Sequence, residues 1–135
     1  MTQYADKSQH PDALARHRAA CADGRSHYSE RDFARASRDF ETALEYQPED
    51  PLAWFALGNC HDAMNSPARA EVCYRMSLKY AAPEAVADVY YNLGNSLFDQ
   101  QKYQLALDCY ARVGEQSKAF AAAQKNMLLA RKALS

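Results

Sequence analysis

Isoleucine is absent from this sequence of 135 residues, valine occurs four times and threonine only twice. So small a stock of β-branched side chains leaves little from which to build strands, and a sheet protein is excluded. Neither sign of charge is in excess. Lys and Arg number 16 against 17 Asp and Glu, a net charge of −1. General nucleic-acid binding, which draws its affinity from phosphate neutralisation, is therefore not expected. No apolar run approaches the roughly 20 residues of a membrane span. The stretch Met1–Asp12 has no apolar segment of the kind that marks a signal peptide, so a cytoplasmic location is expected. The four cysteines, Cys21, Cys60, Cys73 and Cys109, contain no C-x-x-C pair. In a reducing compartment they read as buried or half-buried thiols. The phosphate-binding glycine loops, H-E-x-x-H and G-x-S-x-G are also missing, so neither enzymatic activity nor a cofactor is expected.

What is present favours helices. Apolar residues make up 48% of the chain, alanine supplying 26 of them, and Leu, Glu, Lys, Arg and Gln abound. Helix boundaries fall at recognisable signals. Pro11-Asp12 opens a first helix running to about Glu30, and Asp32 caps one starting at Phe33. Pro48 and Pro51 flank a junction. Ser66 caps a helix whose first residue is Pro67, and Pro83 marks the next break. A period runs through these elements. Gly24 and Gly58 are 34 residues apart, as are Ala36 and Ala70, and Phe40 and Tyr74. Gly94, Ala106 and Tyr110 repeat the same triad at offsets of 12 and 16. Gly58 to Gly94 is 36, which implies a two-residue insertion near Pro83-Glu84.

Trp54, Leu57, Gly58, Ala70 and Tyr74, in phase with Tyr90, Leu93, Gly94, Ala106 and Tyr110, resemble the tetratricopeptide repeat. The units are residues 17–50, 51–84 and 87–120, the first degenerate in its opening half. The resemblance implies an all-α fold: a right-handed superhelical solenoid of three helix pairs, closed by a capping helix at residues 117–134. Residues 11–135 then form one domain, and the polar stretch 1–10 is expected to be loose. Trp54, Leu57, Tyr74, Leu93 and Tyr110 are expected in the core. Tyr90 takes a core position and its neighbour Tyr91 faces the groove.

In such solenoids the first helix of each unit lines a concave binding surface. Stepping along that face gives Arg18, Cys21, Arg25 and Tyr28 in the first unit, and Leu52, Phe55, Asn59 and Asp62 in the second. The third contributes Asp88, Tyr91, Asn92, Asn95, Phe98 and Asp99, and the cap Ala122, Lys125, Asn126 and Leu129. Tyr28, Leu52, Phe55, Tyr91 and Phe98 are not required by the repeat core, which suggests apolar pockets for an extended protein or peptide client. Asn59 and Asn95 recur at one place and suit a peptide backbone. Exposed Asn and Tyr also simply solvate a surface. The alternative is a structural subunit docking through its convex face or cap, and a weak homodimer is compatible with either reading.

Two narrower resemblances bear on the client. Co-chaperones of this family hold the C-terminal carboxylate of heat-shock chaperones in a clamp of Lys, Asn, Asn, Lys and Arg. The matching places here are Cys21, Arg25, Ala56, Asp88 and Asn92, none with the family's residue, so that activity is not expected. The stretch Trp54–Cys60 followed by Ala63-Met64 also looks like the second repeat of the class II chaperones of bacterial type III secretion, which hold translocator subunits in an apolar groove. Finally, His17 and Cys21 stand at i and i+4 on one helix. Two donors do not make a zinc site and no second pair stands nearby in sequence, so no metal is expected.

Overall fold

The computed structural model describes residues 6–135. Among the described residues seven α-helices follow one another: α1 Ala13–Ser29, α2 Phe33–Tyr46, α3 Pro51–Ala63, α4 Pro67–Tyr80, α5 Val86–Asp99, α6 Tyr103–Tyr110 and α7 Phe120–Leu134. Each packs mainly against the next, and there is no strand among the described residues. The starts have local causes. The Asp32 side chain accepts the Arg35 amide and Asp50 accepts that of Leu52. Pro51 and Pro67 take first-turn positions, where a missing N–H costs nothing. Ser66 sits at the N-cap of α4 as expected, but its hydroxyl makes no capping hydrogen bond.

The turn inside each pair is the same structure used three times. Arg31, Asn65 and Gln101 stand two residues before the second helix with φ of 63°, 58° and 62°. The amide after each reaches five residues back, Asp32 to His27, Ser66 to His61 and Lys102 to Leu97, at 2.8–2.9 Å. This is a left-handed helix stop that satisfies the last carbonyls of the first helix.

Pairs close through one contact. A Cβ on Gly24 would lie 2.7 Å from the Phe40 ring, and one on Gly58 or Gly94 would lie 2.6 Å from Tyr74 or Tyr110. The ring sixteen residues on thus rests directly on the glycine backbone. Ala36, Ala70 and Ala106 are fully buried on the same stripe. Phe40, Leu57 and Cys60 centre one core cluster; Tyr74, Leu93, Leu97 and Tyr110 centre a second that continues to Met127 of α7.

Several expectations shift. The two-residue insertion is the 3₁₀ turn Pro83–Ala85. The capping helix begins at Phe120 rather than Ser117, the Ser117 hydroxyl instead accepting the Ala119 amide in the preceding turn. Of the stretch expected to be loose, residues 1–5 lie outside the described residues, whereas Lys7–Gln9 form a 3₁₀ turn tied down by a Lys7–Glu45 ion pair. Trp54 is half-buried rather than core, because its indole N–H turns outward to the Pro48 carbonyl at 2.8 Å while Ala53 takes the buried position. Leu57, Tyr74, Leu93 and Tyr110 are buried as expected.

Candidate functional site

The first helices α1, α3, α5 and α7 present the residues singled out for the groove, and clefts open between successive ones. Between α1 and α3 a cleft of about 390 Å³ is lined by Arg18, Cys21, Arg25, Leu52, Ala53 and Ala56, with Phe40 beneath. A second of about 150 Å³ shares Arg25, Phe40 and Ala56 and adds Tyr28 and Asn59. The two adjoin across those three shared residues. Ala53 and Ala56 leave the room, a role that reading for large side chains could not find. Leu52, 71% exposed at the rim, is the most exposed large apolar side chain of the described residues. Between α5 and α7 a more polar cleft of about 350 Å³ is lined by Asn95, Phe98, Asp99, Asn126 and Leu129.

The aromatics expected as free anchors are each leaned against another ring. Phe55 lies 5.7 Å from Tyr74 and Tyr91 6.2 Å from Tyr110, while Tyr28 meets Phe33 and Phe98 meets Tyr103 edge-on at 5.1 Å. Phe55, Tyr91 and Phe98 are half-buried against the core as a result. Tyr90 is half-buried too, since Val89 fills the inward position beside it. Phe55 borders a small cleft with Leu52 and Asp88 on one side of α3.

The recurring asparagines have a structural cause. Asn59 Oδ1 accepts from Asn92 Nδ2 at 3.0 Å and lies 2.7 Å from the Tyr74 hydroxyl. Asn95 Oδ1 accepts from Asn126 Nδ2 at 3.0 Å and from the Tyr110 hydroxyl at 2.6 Å. Asn95 therefore bridges its own second helix and the next unit's first helix, and Asn59 ties its helix to the next unit through Asn92. Their Nδ2 groups have no partner among the described residues, which leaves two donors, and no acceptors, for a bound backbone. Asp62 is also occupied. It lies 2.7 Å from the Tyr74 hydroxyl and accepts from Ser96 at 3.1 Å. Asn92 already serves Asn59, so the single Tyr74 proton is free to go to Asp62. Burial raises the Asp62 carboxyl above its ordinary value, and raises that of Asp99 for the same reason.

The cysteines expected to be small packing residues are buried. Desolvation pushes the thiols of Cys60 and Cys109 up to about 11 and that of Cys73 to about 12. Cys21 differs in its surroundings. It faces the first cleft beside His17, and the α2–α3 junction brings Asp50 to the same point, 2.7 Å from His17 Nε2. Sequence spacing showed only two of these three groups, because Asp50 lies 33 residues away and arrives through the stacking of units.

Two profiles described as tetratricopeptide repeat match residues 21–76 and 87–113. No curated protein matches the chain. Among solved structures, the first TPR of Spaghetti (RPAP3), bound to the HSP90 peptide SRMEEVD, superposes with a TM-score of 0.78 at 17% identity, covering 89% of this chain and 96% of that one. The Arabidopsis OM64 TPR domain gives 0.77 at 12% identity, covering 85% and 96%. The Sgt2 TPR domain from Aspergillus fumigatus gives 0.72 at 14%, covering 92% and 80%. At these identities the likeness concerns the fold.

Proposed function

The chain belongs to the tetratricopeptide repeat family, and from that footing we propose that it is a non-catalytic interaction module whose first-helix groove holds an extended segment of a protein client, as a chaperone or adaptor does. The observation that carries this is the pair of adjoining clefts between α1 and α3, with Leu52 exposed at the rim and Arg18 and Arg25 along the wall. An apolar side chain of the client enters over Ala53 and Ala56, and the Asn59 and Asn95 Nδ2 groups donate to its carbonyls.

The heat-shock peptide in the Spaghetti complex is not the expected client. At the places where family members carry the carboxylate clamp, this chain has Cys21, Arg25, Ala56, Asp88 and Asn92, and Asp88 repels a carboxylate. Within the stretch that resembles the secretion chaperones, Leu57, Gly58 and Cys60 serve the core rather than a client. A second reading, docking through the cap, draws on Leu128 and Leu134, which are 63% and 51% exposed on α7. Peptides selected from a random extended library for binding to the chain decide between them. Under the groove reading, Leu52→Asp weakens binding of the selected peptides and Leu128→Asp does not.

A further inference from the structure

We propose that His17, Cys21 and Asp50 form a site for a divalent transition metal, best matched to zinc, that joins α1 to the start of α3. The three side chains come from two units, yet their donor atoms all lie within 4.8 Å of one another. Cys21 Sγ is 3.5 Å and Asp50 Oδ2 2.7 Å from the same nitrogen, His17 Nε2. That convergence distinguishes the cluster from a nucleophilic relay, in which thiol and carboxylate would hold opposite nitrogens of the ring. It is the arrangement of groups that share one cation. Donor atoms on a tetrahedral zinc sit about 3.3–3.6 Å apart, given bonds of about 2.0–2.3 Å. The sulfur–nitrogen distance already fits, and the nitrogen–oxygen pair needs to open by about half an ångström.

The surroundings also suit a bound ion. Cys21 is 9% exposed, and the His17 and Asp50 side chains are 15% and 19% exposed. Asp50 is held in place because its other oxygen, Oδ1, accepts the Leu52 amide at 2.9 Å. One thiolate, one neutral imidazole and one carboxylate carry two negative charges, which match a divalent cation. A sulfur–nitrogen–oxygen set selects zinc and its neighbours over magnesium or calcium, which prefer oxygen alone. A fourth coordination position opens on the cleft between α1 and α3, where water completes it. Arg18 and Arg25 line that cleft but are exposed, and solvent screens their charge. His17 Nδ1 is buried without a partner. Metal on Nε2 leaves the ring proton on this unpaired atom, which lowers affinity below that of four-ligand structural sites.

Cobalt(II) titrated into the tag-free, metal-free chain tests the site. The expected result is saturation at one equivalent, with the strong visible bands of tetrahedral cobalt, a sulfur-to-metal charge-transfer band, and loss of both on adding zinc. Zinc should also raise the melting temperature. Cys21→Ser should remove the charge-transfer band. Asp50→Asn, whose amide oxygen can still cap α3, should weaken cobalt binding by about tenfold or more, while Cys109→Ser changes nothing. Should a variant fail to fold, the wild-type spectrum and stoichiometry decide alone. Unsaturable binding, a weak octahedral spectrum, or full retention of binding in folded Cys21→Ser and Asp50→Asn proteins would overturn the proposal.

Discussion

At the scale of single residues, one phenol decides how the second and third units meet. The Tyr74 hydroxyl reaches both Asn59 and Asp62, and Ser96 of the next unit donates to the same carboxylate. In the first unit the corresponding ring is Phe40, with Arg25 in the place of Asn59 and Tyr28 near that of Asp62, so no polar partner there lacks a donor. Tyr74→Phe removes one atom from a fully buried ring and leaves Asp62 short of a donor. The expected cost is about 1–2 kcal/mol in chemical denaturation. A stability equal to wild type would mean that the hydroxyl is not bonded as described. The same network explains why the recurrence of Asn59 and Asn95 could be read from the sequence but not its cause. Their partners, Asn92 and Asn126, lie 33 and 31 residues away and are visible only once the units are stacked.

At the scale of the helix pair, the glycine and the left-handed turn residue do most to fix the geometry. Gly58→Leu would drive a side chain into the Tyr74 ring. The ring has nowhere to go inside a close-packed core, so the expected loss exceeds about 3 kcal/mol, read as a melting temperature many degrees lower. At Gln101 the sign reverses. Its φ of 62° is strained for any residue with a Cβ, and its side chain is exposed. Gln101→Gly should stabilise the chain by about 0.5–1 kcal/mol, seen as a higher denaturation midpoint. The helix pair was the most legible unit in the sequence, since the Gly-to-aromatic offset of 16 maps onto one direct contact. Boundaries were less legible where a local turn competed. The Ser117 hydroxyl holds the turn before α7, and the indole of Trp54 finds the Pro48 carbonyl instead of the core.

At the scale of the whole molecule, stability and binding draw on different parts of the solenoid. The first unit contains a His27–Asp39 pair. Its hydrogen bond to the Asp39 carboxylate raises the His27 pKa. A raised value in the folded state means that the pair's contribution is complete below the unfolded value of about 6.5 and fades as pH rises through the folded value. His27→Gln should therefore be less stable than wild type in mildly acidic buffer, with the difference narrowing in alkaline buffer. A gap that widens with pH would reverse the assignment. His61, whose pKa burial lowers, acts in the opposite sense in both proteins and so leaves that difference unaffected. The groove carries mixed charge, Arg18 and Arg25 near one end and Asp99 near the other, so affinity should fall little as salt rises toward about 0.5 M. Phe55 and Tyr91 stood out in the sequence as off the core stripe, but they lean on Tyr74 and Tyr110, and removing them disturbs packing as well as binding. Leu52 is free of that ambiguity. The most direct measurement is the affinity of library-selected peptides for wild type, Leu52→Asp and Leu128→Asp, with melting curves for each. The expected result is a loss of about 1–3 kcal/mol in binding for Leu52→Asp at an unchanged melting temperature, and wild-type affinity for Leu128→Asp. Undiminished binding by Leu52→Asp together with loss in Leu128→Asp would contradict the groove and place the interaction surface on the cap.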